Sequence, residues 1–311
     1  MLFFLQQLLN GMHAGALYAL LAFGYVVTNG VLRRTNFAFG AVFAFCGQVL
    51  ILASLFGWSS LRLEWWAAVA FGLAVSFAYA WAAGAVLGRW VLAPLANAAP
   101  NAIMVATLGC AVILMELSRI SAGTRDIWLP PLLAAPVQIA TDGRYVATLT
   151  QNQMTGGAIA ILALAGGALA LRRSSHGRYW RAVCDDPEAA AMCGVDVGRI
   201  FGAAIVVGCL FAALAGALAA LHYGNIGFGA GLTFGLKILF VTALGGYDSP
   251  TRGAAGAFAY GLAEALWSGY FPIEWRDGWM FAFLVALLVL RPSPVSEGLA
   301  TRRLPRERSG V

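Results

Sequence analysis

What most constrains this chain is where its charge sits: ionisable residues are nearly confined to short segments, and long apolar stretches run between them. Of 311 residues, 60% are hydrophobic and 11% are charged, whereas a soluble globular domain carries about 25% charged residues. Too few polar groups exist to cover a water-facing surface. Apolar runs of ~18 or more residues read as transmembrane helices. Nine candidate spans fall at 8–29, 36–56, 65–88, 102–120, 155–171, 200–221, 232–246, 253–270 and 278–290. The seventh and ninth are short for a hydrocarbon core of about 30 Å, so about eight to ten helices are expected, with 232–246 tilted, broken or re-entrant. The expected fold is all-α and polytopic, one transmembrane domain over 1–295 with a basic tail at 296–311.

The net charge of +6 comes from 20 basic residues, of which Lys237 is the one lysine. In a soluble protein this balance would suggest nucleic acid; here the arginines flank apolar runs, so the lipid bilayer is the expected partner and nucleic acid is not. Segments 33–34, 89, 172–199, 252 and 291–308 hold 14 of the basic residues, and the opposite set (Arg62, Arg119, Arg125, Arg144, Arg276) holds five. By the positive-inside rule the amino end is outside and the carboxyl end cytoplasmic. The first arginine, Arg33, lies beyond the first apolar run, so a cleaved signal peptide is not expected. The 37 glycines suit close helix approach in lipid. Five cysteines lack metal-ligand spacing, and His13, His176 and His222 are far apart in sequence. Neither metal nor cofactor is expected.

The loop 172–199 carries a helix with both ends marked. Asp186 is a natural N-cap, Pro187 suits the first helical position, and Glu188 meets the helix dipole. Ala189 and Ala190 give a small surface, and Gly194 can end the helix in the left-handed conformation. Gly177, Arg178 and Arg181 precede it. Two readings fit: a connector lying on the membrane surface, or a compact projecting helix that seats in a soluble motor.

Three ionisable groups lie inside spans: Glu116, Lys237 and Glu264. Such groups are costly in lipid and face a partner or a wet cavity. Lys237 and Glu264 sit at similar depth, about 13.5 and 16.5 Å from one cytoplasmic turn, so they can pair. That pair is either an internal tie or part of a solute path. Glu116 and Arg119, three apart, should pair on one helix face. Asn36 and Asn225 border spans, where they can cap helices or satisfy broken backbone near a solute path. No Gly-x-x-x-x-Gly-Lys-[Ser/Thr] loop occurs, because Ile238 follows the only lysine. No nucleophile–base set appears, so an enzyme is not expected, and any ATP hydrolysis belongs to another polypeptide.

The order Gly177-Arg178, Arg181-Ala182, Asp186-Pro187-Glu188-Ala189-Ala190 and Gly194-Val195-Asp196 resembles the Glu-Ala-Ala loop of ABC importer permeases. Its form is that of the branched-chain amino-acid permease family, in the shorter of its two subunit types. Asn10-Gly11, Gly15-Ala16-Leu17-Tyr18, Asn36-Phe37-Ala38, Gly235-Leu236-Lys237, Leu244-Gly245-Gly246 and Gly261-Leu262-Ala263-Glu264-Ala265 resemble family motifs in the same order. The chain departs from the family at Phe39-Gly40-Ala41, where His-Gly-Glu is usual, and after Gly246. The resemblance implies a type II importer-like fold in a bacterial cytoplasmic membrane and import of branched-chain or other amino acids by alternating access. Urea or short amides are the next choice, and an independent secondary transporter the third. It implies a second permease subunit (a heterodimer ahead of a homodimer), an extracytoplasmic solute-binding protein, and ATP-binding cassette subunits docking at 186–194.

Overall fold

A computed structural model describes residues 2–290, apart from 96–98, 124–126, 134, 142–145, 228 and 248. The tail expected at 296–311 lies outside the described residues. The helices are α1 (Leu2–Leu32), α2 (Ala38–Ser59), α3 (Trp65–Val86), α4 (Pro100–Ser121), α5 (Gln151–Arg173), α6 (Ser175–Asp185), α7 (Pro187–Met192), α8 (Val197–Tyr223), α9 (Ala230–Gly245), α10 (Pro250–Tyr270) and α11 (Arg276–Leu290). A π-helical stretch, Leu87–Leu92, and a last turn, Ala93–Leu95, extend α3. Among the described residues six helices are long and apolar enough to cross a membrane: α1, α2, α3 with its extension, α4, α5 and α8. The last three expected spans are real helices of another character. α9 and α11 have 16 and 15 residues, and α10 carries Arg252 and Glu264.

The expectation of an all-α chain needs one correction. The polar connection before α5 contains an antiparallel hairpin, β1 (Pro136–Thr141) and β2 (Val146–Thr150). Its β-branched residues favour strands, and Gln6 of α1 pairs with the Thr148 backbone, accepting at 2.8 Å and donating at 2.9 Å. Thr150 and Gln153 then form a capping box that starts α5.

The core centres on α1, which packs against α10 along its length and against α8 on another side. α8 reaches across to α2 and α3, while α9 touches α1, α2 and α10. α1 and α2 are thus bridged by α8 on one side and by α9 on the other. These approaches are made at glycine. A Cβ on Gly40 would lie 2.3 Å from the Gly231 carbonyl oxygen and 2.3 Å from Gly235 Cα, and one on Gly216 would lie 2.3 Å from the Phe43 carbonyl oxygen. α4 and α5 are mostly exposed, offering apolar faces to lipid or another subunit.

α9 answers the question of its short span. α8 ends at Gly224, whose carbonyl accepts from Leu129 N at 2.8 Å at the end of the bundle where α1 starts. Ile226 then packs on Gly47, near the middle of α2, and Gly231 and Gly235 pack on Gly40 near the start of α2. The chain therefore turns back into the bundle over 224–227, ahead of α9. At 1.5 Å per residue its 16 residues span about 24 Å.

Because the atoms a Gly40 side chain meets are backbone, Gly40→Ala should destabilise by about 1–3 kcal/mol. Gly109 has nothing within 4 Å of an added Cβ, so Gly109→Ala should be neutral or gain up to about 1 kcal/mol. Thermal unfolding of the two purified variants checks this contrast.

Candidate functional site

Two regions hold the candidate side chains. At the end where α1 finishes, Ser174 breaks α5 from α6 and caps α6, its Oγ accepting from Gly177 N at 3.0 Å. Gly177 is forced at this corner, since a Cβ there would lie 2.1 Å from the Leu171 carbonyl oxygen. Arg181 Nη1 donates to the same carbonyl at 2.8 Å, while the Arg178 side chain is exposed. α6, in the part of the loop where the sequence marks Gly177, Arg178 and Arg181 but no helix, is amphipathic. It buries Trp180 and Val183 against α1 and α8.

The α6 tie to α1 is specific. Trp180 Nε1 donates to the Val27 carbonyl at 3.1 Å, and its ring packs on Gly30. The Arg33 guanidinium donates to the Cys184 and Asp185 carbonyls, the latter at 2.7 Å. Arg33 holds a left-handed φ of 51°, unusual for a non-glycine residue. Asp186 Oδ1 accepts from Glu188 N at 2.9 Å and Ala189 N at 3.1 Å, with Pro187 opening α7. Ala190 is buried, Gly194 has φ +82°, and Pro187, Glu188 and Met192 point to solvent. Asp196 caps α8 through Arg199 N at 3.0 Å and pairs with the Arg199 guanidinium at 2.9 Å. All five cysteines are free thiols. Burial pushes the Cys184 thiol up to about 12, outweighing the Arg33 charge, whereas Cys193 is exposed.

The second region is a cavity of ≈ 680 Å³ at the end where α1 starts. Its polar rim comes from Gln7, Asn10, His13, Gln153, His222 and Asn225, and Leu17, Leu21, Phe43, Ile226 and Phe234 make apolar walls. At its base Lys237 Nζ donates to Glu264 Oε1 at 2.9 Å and to Asp277 Oδ1 at 2.8 Å. Arg276 Nε lies 3.6 Å from Glu264 Oε1 and 3.4 Å from Asp277 Oδ1. Two cations and two anions from α9, α10 and α11 thus form one network. Sequence reading found Lys237 and Glu264 by depth. It missed Asp277 and Arg276 because they open the last helix, where a charge reads as a flank.

Other sequence candidates fall elsewhere. Asn36 is buried and its Oδ1 accepts from Ala38 N at 3.0 Å, capping α2 away from the network. Asn225 lines the cavity, on the re-entrant link. Glu116 and Arg119 form an exposed pair on α4, with Arg119 Nε donating at 2.9 Å. His13 and His222, far apart in sequence, meet on the cavity rim with ring centroids 4.2 Å apart and planes tilted by 50°. Among the described residues no three His, Cys, Asp or Glu side chains gather as a metal site.

A further cavity of ≈ 590 Å³ lies at the opposite end, lined by Tyr25, Asn29, Arg33, Arg34, Asp185 and Tyr247. Along α1 the first cavity reaches Leu21 and the second begins at Tyr25, a single helical turn apart. Aromatic rings fill that layer: Tyr25 on Phe39 at 5.5 Å and Phe43 on Phe234 at 5.1 Å between centroids.

Apolar helices with a cavity at each end and a rigid loop at one of them are the build of a multi-pass membrane transport subunit. The chain belongs to the branched-chain amino acid transport system permease component family, whose model matches residues 7–290. It is 30% identical over 297 residues to the high-affinity branched-chain amino acid transport system permease protein LivH of Escherichia coli strain K12, covering 94% of this chain and 96% of the relative. BraD of Pseudomonas aeruginosa, a permease protein of the same description, is 27% identical over 296 residues, covering 94% and 95%. Among solved structures, PsaBC from Streptococcus pneumoniae in complex with Fab aligns over 94% of both chains at 14% identity, with a TM-score of 0.42.

Breaking a buried ion pair from one side leaves an uncompensated charge and costs about 3–5 kcal/mol. Lys237→Met should therefore sharply lower the yield of folded protein and its unfolding temperature. Adding Glu264→Gln removes the orphaned charge and leaves Arg276 with Asp277, so the double variant should recover much of the loss. Equal damage in single and double variants would remove support for the network as a structural unit.

Proposed function

We propose that this chain is the pore-forming permease subunit of an ATP-driven importer, carrying branched-chain or other amino acids across a bacterial cytoplasmic membrane by alternating access. The observation that carries the reading is the pair of cavities at opposite ends of α1, separated by one aromatic layer. Solute held in the first cavity meets a barrier that is thin enough for small helix shifts to open. Family membership and the LivH and BraD names support the solute class. The amide-rich rim (Gln7, Asn10, Gln153, Asn225) favours urea or a short amide as second choice.

The amino end is outside and the carboxyl end cytoplasmic in this reading. Arg33, Arg34, Arg89, Arg172, Arg173, Arg178, Arg181, Arg199 and Arg252 lie toward the end where α1 finishes, and only Arg62, Arg119 and Arg276 of the described arginines lie toward the other. An ATPase docks on α7, with Asp186, Pro187, Glu188, Ala189, Ala190 and Gly194 shaping the knob and Gly177, Arg178 and Arg181 its base. α6 transmits the motion, since it is bonded to α1 and α1 lines both cavities. A second permease subunit, more fittingly a different chain than a copy, covers exposed helix faces, and an external binding protein delivers solute to the rim.

Two measurements test this. Cys193 should react with a membrane-impermeant maleimide from the cytoplasmic side within minutes at neutral pH, and Cys184, being almost entirely protonated there, at least ~10-fold more slowly. Labelling of Cys193 only from outside would overturn the orientation. In reconstituted vesicles holding the ATPase, the second permease and the binding protein, leucine uptake should require ATP. Asp186→Ala, which loses the α7 cap at a cost of about 1 kcal/mol, should cut uptake several-fold with the assembled complex retained. Uptake driven by an ion gradient with this chain alone would defeat the proposal, and preference for urea over leucine would select the second solute class.

A further inference from the structure

The four-charge network at the base of the first cavity is balanced in number and unbalanced in hydrogen bonding. Lys237 is 3% exposed and gives two of its three N–H groups to Glu264 and Asp277. Glu264, 7% exposed, uses only Oε1; its Oε2 is buried and has no hydrogen-bond partner. The Tyr18 hydroxyl lies within hydrogen-bonding reach of the carboxylate, and Tyr260 flanks it with a hydroxyl that is buried without a partner. Arg276 engages the network through Nε alone, at 3.4 and 3.6 Å, and its Nη1 and Nη2 make no hydrogen bond among the described residues. Both Glu264 and Arg276 line the cavity.

A carboxylate with acceptor capacity left at Oε2 and a donor fork without an acceptor therefore sit side by side in one cavity. An unpaired buried carboxylate oxygen is costly to maintain, and a guanidinium fork is shaped for bidentate hold of a carboxylate. A molecule that answers both has an ammonium and a carboxylate on neighbouring atoms. We propose that Glu264 and Arg276 form a zwitterion subsite within the permease itself: Glu264 Oε2 accepts from the α-ammonium of an amino acid, and the Arg276 fork donates to its α-carboxylate. Lys237 and Asp277 do not touch the solute; they hold the two binding groups in place and keep the empty site electrically neutral. The aliphatic side chain lies against Leu17, Leu21, Phe43, Ile226 and Phe234. This assignment rests on the import reading above and adds selectivity to the membrane subunit, independent of any binding protein.

The arrangement also sets a limit on affinity. Lys237 and Arg276 already neutralise the carboxylates, so the solute ammonium competes with protein cations for Glu264 and gains only what Oε2 leaves unused. Binding is expected to be weak enough for release, as a transport intermediate requires.

The test uses the permease–ATPase complex purified without its binding protein and radiolabelled leucine in equilibrium dialysis, with leucinamide (no carboxylate) and 4-methylpentanoate (no ammonium) as competitors. Wild type should bind leucine saturably and hold each competitor roughly 10- to 100-fold more weakly, the range for one hydrogen bond to a charged group. In Arg276→Gln, leucine and leucinamide should bind alike while 4-methylpentanoate stays weak; in Glu264→Gln the pattern should reverse. Because Glu264→Gln disturbs the buried pair, Arg276→Gln, half-exposed and held only by long contacts, decides if the other variant fails to assemble. Unchanged selectivity in Arg276→Gln, equal loss for all three ligands, or no saturable binding by a complex that still imports leucine overturns the subsite and leaves the import reading standing. If the fully reconstituted system shows no ATP-dependent leucine uptake, the import reading itself fails.

Discussion

Helices in lipid gain nothing from hiding apolar side chains from one another, because the surrounding acyl chains are as apolar as leucine. They must gain by approaching closely, and in this chain close approach is made where a side chain is missing. Gly11 and Gly15 bring α10 against α1, Gly24 and Gly208 bring α8 against α1, and Gly47 and Gly216 bring α8 against α2. Gly40 against Gly231 and Gly235 sets α9 on α2, and Gly245 against Gly253 closes the α9–α10 turn. With backbone this near backbone, dispersion contacts and weak Cα–H hydrogen bonds can accumulate along each crossing. Everything else about the molecule follows from having α1 and α2 held apart by α8 and α9 at fixed spacing.

That spacing is what permits charge inside. A tightly filled four-helix contact would leave no room for Lys237, whose burial is tolerable only with carboxylates at 2.8 and 2.9 Å. The re-entrant link supplies the room. By turning back over 224–227, ahead of α9, the chain leaves the end of the bundle unfilled and exposes Asn225 and the start of α9 to a cavity. Irregular backbone at membrane depth survives only against protein or water, and here it has both, packed on Gly47 and bordering the ≈ 680 Å³ space. Shortening α9 also lets α11 bring Arg276 and Asp277 in from the bundle end to meet a lysine at mid-depth.

Much of this was legible in the sequence, and the reasons for what was not are physical. Apolar runs and arginine flanks located the helices because hydropathy is summed over ~20 residues and tolerates local exceptions. The cap at Asp186 and the stop at Gly194 were readable because capping is local chemistry over a few residues. Lys237 and Glu264 were paired by rise per residue alone. Asp277 and Arg276 were not, since a charge at a helix start has a bland explanation in every membrane protein. His13 and His222, 209 positions apart, meet only because α1 and α8 pack side by side, which no local pattern encodes. The amphipathic α6 escaped because a run of arginines with Trp180 among them reads equally as a lipid-surface connector. The hairpin at 136–150 was hidden among prolines in the stretch that departs most from a membrane pattern.

α6 is where the two halves of the molecule become one mechanical object. Its Trp180 ring lies on Gly30 and bonds the Val27 carbonyl, and Arg33 grips its last two carbonyls from a strained backbone position. From Val27 to His13 is 14 residues of unbroken helix, about 21 Å, and over that length α1 passes the lower cavity, the aromatic layer and the rim of the upper one. In the proposed import cycle a helix so closely packed would move as a rod, because a close-packed interior transmits displacement and does not absorb it. Any displacement of α6 must then either break the Trp180 and Arg33 bonds or move Tyr25 relative to Phe39, across the thin layer that separates the cavities. Tyr25 and Phe39 belong to α1 and α2, which α8 and α9 hold apart, so in that cycle their contact is where a sliding α1 would act on the layer between the cavities.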